Sequence, residues 1–210
     1  MTAIKDYKKE YKELYLPKTE PMILNVPEII YVGLQGKGNP NDKEGEYQKA
    51  LGILYGIQYT IKMSKKGKSV INGYFDYVVP PLEGLWWLDT GDTFTSKSKY
   101  NWISLIRLPE FVTVEVFQWA ASEVSNKKGL DTKDVKYMKF TEGLCVQCLH
   151  IGSYDSEPET LKRMEIFTEE NGLLIDINEI RRHHEIYLSD PRKTDVSRLK
   201  TVLRIPVKRR

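Results

Sequence analysis

The chain has 210 residues, of which 40% are hydrophobic and 29% are charged, a mixture typical of a globular protein with its own core. The formal net charge is only +3 and acidic and basic residues are interleaved, which argues against a dedicated nucleic-acid-binding surface. The N-terminal segment lacks the apolar core of a signal peptide, and no apolar run approaches the roughly 20 residues that span a bilayer. We therefore expect a cytoplasmic protein with neither a membrane nor a nucleic-acid partner.

The first half of the chain predicts strands around two helices. The predicted elements are, in order, a short charged helix over 5–16, a buried strand from Ile29, a helix over 44–65, β-like runs at 74–79 and 82–88, a strand at 100–108 and a helix over 111–126. The apolar stripe of the helix over 44–65 consists of Tyr47, Ala50, Leu51, Leu54, Ile57 and Ile61. The apolar side of the helix over 111–126 is expected to carry Val112, Val116, Trp119 and Ala120.

The second half repeats this order. The predicted elements are a strand at 144–151, a helix over 157–171 with Ser156 as its N-cap and Gly172 at its end, and strands at 183–189 and 199–208. Each half also ends in a similar phrase, Leu105-Ile106-Arg107-Leu108-Pro109 in the first and Leu203-Arg204-Ile205-Pro206 in the second. We therefore predict an α+β fold of duplicated β-α-β-β units, with antiparallel sheets that carry helices on one face and a groove on the other.

The predicted domain organisation follows from this repeat. Residues 1–28 form an N-terminal arm and residues 29–210 form one domain. Within the domain, the first repeat covers 29–109, a linking helix covers 111–128 and the second repeat covers 143–208.

Few residues have the spacing of a metal, nucleotide or nucleophile site. Cys145 and Cys148 lie in an apolar strand and are expected to be buried, reduced thiols. The three histidines, His150, His183 and His184, lack metal-ligand spacing. The Gly36–Gly38 loop lacks the dinucleotide-binding pattern, and no nucleophile elbow is present. We predict no metal and no cofactor, and we expect Asp131, Asp134 and Glu142 to be solvated surface residues.

Several phrases, spread in order over nearly the whole chain, resemble the GyrI-like family. They are Asp6-Tyr7-Lys8-Lys9 with Leu14-Tyr15, Glu46-Tyr47-Gln48-Lys49-Ala50-Leu51, Pro81-Leu82-Glu83-Gly84-Leu85-Trp86-Trp87, Trp102 with Ile106-Arg107-Leu108-Pro109-Glu110-Phe111-Val112, His150-Ile151-Gly152-Ser153-Tyr154, and Glu185-Ile186-Tyr187-Leu188-Ser189-Asp190. The family is similar to the effector-binding domains of multidrug-responsive regulators. The resemblance implies a duplicated β-α-β-β fold and a groove that binds bulky, partly aromatic small molecules.

The resemblance also implies two further expectations. One branch of the family hydrolyses cyclopropane-bearing DNA-alkylating compounds within an aromatic cage, and this sequence resembles that branch. Multidrug regulators carry a helix-turn-helix domain before the effector domain, and residues 1–28 are too short for one. We therefore expect a xenobiotic binder with cyclopropanoid hydrolase activity, and keep two alternatives, a binder without turnover and a gyrase-inhibitor-like interaction module.

Glu185 is the main candidate for chemistry. Alternation along its strand places His183, Glu185 and Tyr187 on one face and His184 and Ile186 on the other. Taken alone, this pattern favours an acidic residue on a solvent-exposed strand face. The resemblance favours a groove residue, with Glu185 as general base and the Tyr187 hydroxyl as donor to a developing oxyanion.

Aromatic residues are the candidates for ligand binding. Trp86 and Trp87 point to opposite faces of one strand, and Trp87 is favoured over Trp86 as the groove residue. The further candidates are Trp102 on the neighbouring strand, Tyr55 and Tyr59 at the edge of a helix stripe, and Tyr154 in the loop before the second helix. Each of them is equally explained as a core or rim residue.

Overall fold

The computed structural model describes residues 4–67, 71–89 and 97–210. Within these ranges the α-helices are α1 (Tyr7–Glu10), α2 (Lys12–Tyr15), α3 (Glu46–Met63), α4 (Val114–Lys128) and α5 (Glu157–Glu170). The strands are β1 (Met22–Lys37), β2 (Leu82–Trp87), β3 (Asn101–Arg107), β4 (Lys136–Ile151), β5 (Leu173–Ile175), β6 (His183–Tyr187) and β7 (Lys200–Arg209). None of the helices in these ranges has the length and apolar character needed to cross a membrane.

The order strand, helix, strand, strand occurs twice along the chain. It appears as β1-α3-β2-β3 and again as β4-α5-β6-β7, with the short β5 inserted after α5. The strand pairs β1–β3, β2–β6, β4–β7, β5–β7 and β6–β7 are all antiparallel. The predicted α+β class with a duplicated β-α-β-β order is therefore confirmed.

The chain forms two compact units. Over their described residues, the first unit comprises Met1–Glu10, Ile29–Pro80 and Trp87–Phe140, and the second comprises Tyr11–Glu28, Pro81–Trp86 and Thr141–Arg210. The boundary does not follow the midpoint of the chain. Most of β2 belongs to the second unit, where it pairs with β6.

Helix α3 supplies much of the core of the first unit. Its buried apolar residues include Tyr47, Ala50, Leu54, Ile57 and Ile61, all of which belong to the predicted stripe. The Gln58 side chain, which is fully buried, donates a hydrogen bond of 2.8 Å to the carbonyl oxygen of Arg107 in β3. This bond satisfies a polar side chain at the contact between helix and strand.

Helix α4 agrees only in part with the predicted apolar side, of which Val112 and Ala120 are buried. Phe117, Ala120 and Val124 are buried, whereas Trp119 is 42% exposed, so its predicted place on the apolar side is wrong. Positions three and seven residues after Phe117 return to the same side of the helix, whereas Trp119 lies two residues on and points away.

The predicted charged helix over 5–16 is two single helical turns. Tyr11 lies between them with a non-helical backbone conformation (φ −113°, ψ 58°). Tyr7 is buried in the first unit and Tyr15 in the second, each with 1% of its surface exposed. Tyr7 and Tyr15 therefore do not share one helical face.

Helix α5 packs over the sheet of the second unit. The core cluster there consists of Val146, Cys148, Met164, Leu173, Leu203, Ile205 and Val207. Cys145 and Cys148 are buried free thiols, as predicted. Burial is the main reason that their pKa values rise, to about 12 for Cys145 and about 11 for Cys148, so both remain protonated near neutral pH.

The ends of α5 agree only in part with the sequence. Gly172 follows the helix in the left-handed conformation (φ +67°), which favours glycine. Ser156 does not act as a side-chain N-cap, because its hydroxyl donates to the carbonyl oxygen of Ser153 at 2.8 Å. The turn Tyr154–Ser156 has 3₁₀ geometry, so Ser156 belongs to this turn, which precedes α5.

Candidate functional site

Strand β6 presents a polar face and an enclosed face. His184 and Ile186 are fully buried, whereas the side chains of His183 and Glu185 are 18% and 14% exposed. The predicted alternation along this strand is confirmed. Glu185 therefore lies at a surface that is largely covered but still open to solvent.

The register between β2 and β6 decides which residues surround Glu185. Gly84 pairs with Glu185, and Trp86 pairs with His183. Directly paired residues of antiparallel strands point to the same side of the sheet. We call the surface formed by Gly84 and by the side chains of Trp86, His183, Glu185 and Tyr187 the Glu185 face.

A chain of hydrogen bonds runs along the Glu185 face. The indole nitrogen Nε1 of Trp86 donates to the Tyr187 hydroxyl at 2.8 Å. The Tyr187 hydroxyl donates to Glu185 Oε2 at 2.7 Å, and Nε2 of His183 lies 3.2 Å from Glu185 Oε1. Both carboxylate oxygens are thus held in place. A phenol has one proton, so the arrangement directs it toward Glu185.

Tyr154 adds an aromatic ring to this region. Its ring meets that of Tyr187 edge to face, with centroids 6.1 Å apart and planes at 88°. Burial, followed by the negative charges of Glu157, Glu185 and Asp190, raises the pKa of Tyr154 to about 12. Tyr154 is therefore a neutral phenol at physiological pH.

The structure brings Trp86, rather than Trp87, to Glu185. Trp87 is the next residue of β2, so its side chain points to the opposite side of the strand, and it is half-buried. Alternation alone could not separate the two tryptophans. The pairing of Trp86 with His183 is the signal that does so, and it depends on a strand from the other half of the chain.

The remaining predicted ligand-binding residues lie in the first unit. Trp102 is fully buried, with the Tyr47 ring edge-on at 5.1 Å. Tyr55 and Tyr59 stack with their centroids 6.5 Å apart, and Tyr59 is 50% exposed. Their part in ligand binding remains a prediction.

A buried charged cluster lies on the opposite side of β6 from Glu185. Nδ1 of His184 is 3.1 Å from Glu142 Oε2, and Arg204 Nη1 is 2.8 Å from the same oxygen. Nε2 of His184 lies 3.0 Å from Glu83 Oε2, which is within ion-pair distance. The geometry of this contact does not fit a hydrogen bond. Glu142 was expected at the surface; that prediction is wrong, because its side chain is only 2% exposed.

The protonation states in this cluster follow from its charges. Burial opposes the charged form of His184, but the carboxylates of Glu142 and Glu83 outweigh it and raise the pKa to about 9. Burial likewise opposes ionisation of Glu142, but His184 and Arg204 outweigh it and lower the pKa to about 2. At neutral pH a histidinium therefore pairs with an ionised Glu142.

The cluster also fastens α2 to the sheet. The Tyr15 hydroxyl donates to Glu83 Oε1 at 3.3 Å, and Arg204 Nη2 donates to the carbonyl oxygen of Leu14 at 3.0 Å. Nε of Arg204 donates to Gln147 Oε1 at 3.0 Å, and the Gln147 amide in turn donates to the carbonyl oxygen of Glu13. These bonds tie α2 to β2, β4 and β7, and so support the strands that carry the Glu185 face.

Two surface depressions lie away from Glu185. One, of about 330 Å³, is lined by residues of the segment 12–22, and the other, of about 300 Å³, by residues of the segment 37–49. Neither combines a carboxylate, aromatic rings and aligned donors as the Glu185 face does. Among the residues that the structure describes, no three His, Cys, Asp or Glu side chains are grouped to hold a metal ion.

Sequence and structure comparisons identify related proteins. The profile of the GyrI-like small molecule binding domain matches residues 19–208. A crystal structure from Listeria innocua described as a hydrolase is 47% identical, with a TM-score of 0.89, and covers 97% of this chain and 100% of its own. A second, described as an uncharacterized conserved protein from Listeria innocua, is also 47% identical over the same shares of both chains, with a TM-score of 0.92.

More distant similarity is limited to the fold. The C-terminal domain of EcmrR is 13% identical to this chain, with a TM-score of 0.53 over 91% of this chain and 98% of that domain. No curated protein matches the sequence.

Proposed function

Because this chain belongs to the GyrI-like family of small-molecule-binding domains, we propose that the Glu185 face receives a flat, partly aromatic ligand. The support is a carboxylate at the open side of a strand, with the rings of Tyr187 and Tyr154 beside it. Aromatic rings bind flat ligands through stacking and edge contacts, and a carboxylate favours ligands that are cationic or become positively polarised.

The single observation that carries this proposal is the way Glu185 is held. Its side chain is 14% exposed, and its two oxygens are contacted by Tyr187 and His183. Within the described residues, no Lys or Arg side chain forms an ion pair with it. Each carboxylate oxygen retains acceptor capacity beyond these two contacts, so Glu185 is oriented and still able to interact with a ligand or a water molecule.

We further propose that the ligand class includes cyclopropane-bearing alkylators and that the protein hydrolyses them. When water attacks a ring carbon of a cyclopropane conjugated to a dienone, a C–O bond forms and a C–C bond of the ring breaks. The released electron pair turns the dienone into a phenolate. The description of a 47% identical relative as a hydrolase supports this reading.

Glu185 and Tyr187 can each carry out one of the two proton transfers. Glu185 takes a proton from the attacking water and, once protonated, no longer needs the Tyr187 hydroxyl as a donor. The Tyr187 hydroxyl then turns and gives its proton to the phenolate oxygen. The hydrogen bond of 2.7 Å between Tyr187 and Glu185 then offers a direct path for the proton to return from Glu185 to Tyr187. The cycle leaves both groups as they began and adds one water to the substrate.

Binding and turnover are tested on the same proteins. A cyclopropane-bearing dienone alkylator is incubated with the parent protein, Glu185→Gln and Glu179→Gln, and the ring-opened phenol is quantified by liquid chromatography. Loss of one general base slows turnover about 10² to 10⁴-fold, with little change in affinity. Glu179 is exposed in the same unit, so its variant should behave as the parent.

The outcomes separate the proposed functions. Equal turnover by Glu185→Gln and the parent would remove Glu185 as the base. If the parent forms no product but still binds the alkylator or a flat aromatic cation such as ethidium, the protein is a binder without turnover. If neither compound binds, the proposed class of flat, partly aromatic ligands is wrong for the Glu185 face.

A further inference from the structure

Gly84 occupies a position where space, rather than backbone conformation, requires glycine. It lies opposite Glu185 in the β2–β6 pair, and its backbone φ is not positive. A Cβ added here would lie 2.6 Å from Trp86 Nε1 and 3.1 Å from the Tyr187 hydroxyl oxygen. These are the two atoms of the Trp86–Tyr187 hydrogen bond. The bond therefore forms in the space that a side chain at position 84 would occupy.

Trp86 acts on the site through Tyr187. The indole N–H is only a donor, and its 2.8 Å bond occupies an acceptor site of the phenol oxygen. Trp86 itself is 9% exposed, which leaves little of its surface for a ligand. A donor to a hydroxyl oxygen makes that hydroxyl a stronger donor in turn, so the three groups polarise one another in sequence.

We propose that Trp86 and Gly84 are positioning residues for the Glu185 face. Trp86 orients the Tyr187 hydroxyl and stabilises the negative charge left on its oxygen when the proton moves to the ligand. Gly84 provides the space for this contact. The inference rests on the proposed hydrolysis, because only there does the direction of the Tyr187 proton affect a reaction.

Four variants isolate this role. Trp86→Phe keeps an aromatic ring and removes the N–H donor. Gly84→Ala leaves the donor in place but fills its space, and the double variant combines the two changes. Gly52→Ala is the matched control, since a Cβ at Gly52 in α3 meets nothing within 4 Å.

The hydrogen bond can be observed independently of activity. In NMR spectra of isotopically labelled protein, the Trp86 indole resonance is the one that disappears in Trp86→Phe. Tyr187→Phe and Gly84→Ala should both shift that resonance and speed its exchange with solvent, whereas Gly52→Ala should leave it unchanged. If the chemical shift and the exchange rate of the Trp86 indole resonance are the same in Tyr187→Phe and in the parent, the inference is wrong.

Kinetics then test the functional consequence. The loss of one hydrogen bond to a charged oxygen is worth roughly 12- to 160-fold. We expect kcat for alkylator hydrolysis to fall by that factor in Trp86→Phe and Gly84→Ala while KM stays within about twofold. The effect of the double variant should be smaller than the two single effects combined, because both changes break the same Trp86–Tyr187 contact.

Failure of this inference differs from failure of the proposed function. If the parent protein neither binds nor hydrolyses the alkylator, the proposed function is wrong. The positioning role alone is contradicted if the parent is active and Trp86→Phe has an unchanged kcat. It is also contradicted if the effects of Trp86→Phe and Gly84→Ala add fully in the double variant. If Gly84→Ala does not fold, Trp86→Phe compared with Tyr187→Phe still decides between these outcomes.

Discussion

His184 and Glu185 are consecutive residues of β6, and their side chains lie in opposite environments. Glu185 is at the open face, with Tyr187 donating to it at 2.7 Å. His184 is fully enclosed, with carboxylate oxygens of Glu83 and Glu142 at 3.0 and 3.1 Å. One strand therefore carries a candidate reactive group on one side and the buried charges that support it on the other.

Stability should fall at alkaline pH because of His184. Its pKa of about 9 in the folded protein exceeds the ordinary value of 6.5, so the folded state favours the proton. The stabilisation is complete below pH 6.5 and is lost as the pH rises through about 9. A pKa difference of about 2.5 corresponds to on the order of 3 kcal/mol.

Urea unfolding of the parent and of His184→Gln between pH 6 and pH 10 measures this effect. Glu83, Glu142 and Arg204 face His184 and are present in both proteins, so the difference between the two curves isolates the histidine. Parallel curves over this range would contradict a protonated His184.

Removing Glu142 should be strongly destabilising. Glu142→Ala leaves Arg204 and the His184 cation buried without their shared carboxylate, a change that typically costs about 3–5 kcal/mol. Lys208→Ala removes a partner of Asp176 from an ion pair whose lysine side chain is 58% exposed, and should cost about 1 kcal/mol or less. Chemical denaturation compares the two, and equal losses would contradict the buried pairing.

Trp102 and Trp119 should respond to truncation in opposite ways. Trp102→Ala removes a fully buried ring from the first unit and should cost about 3–5 kcal/mol. Trp119 is 42% exposed, and Trp119→Ala should cost about 1 kcal/mol or less. Thermal unfolding of both variants provides the measurement. A stable Trp102→Ala protein with weakened ligand binding would instead favour Trp102 as a ligand contact.

Tyr154 should contribute through its ring rather than its hydroxyl. The edge-to-face contact with Tyr187 survives in Tyr154→Phe and is lost in Tyr154→Ala. An aromatic contact between the Tyr154 ring and the ligand is worth about 0.5–1.5 kcal/mol, so ethidium should bind Tyr154→Ala roughly 2- to 12-fold more weakly than Tyr154→Phe. Fluorescence titration measures both. Equal affinities would show that the Tyr154 ring does not support the site.

Local patterns in the sequence were sufficient for the long helices and for the two faces of β6, but not for the short elements at 5–16 and 173–175. The spacing of Tyr47, Ala50, Leu54, Ile57 and Ile61 predicts the buried face of α3, because a helix returns to the same side every 3.6 residues. The alternation His184, Glu185, Ile186 predicts which side of β6 is enclosed, because strand side chains alternate. Both periods are properties of the backbone alone.

Contacts between distant parts of the chain required the tertiary structure. Trp86 rather than Trp87 joins Glu185 because β2 pairs with β6 in one register, and a shift of one residue would exchange the two tryptophans. Glu142 is buried because Arg204 and His184, more than 40 positions away in the chain, compensate its charge. Hydrophobic periodicity identifies the side of an element that is covered; the partner that covers it, and therefore the cost of burying a charge there, depends on the pairing of strands from both halves of the chain.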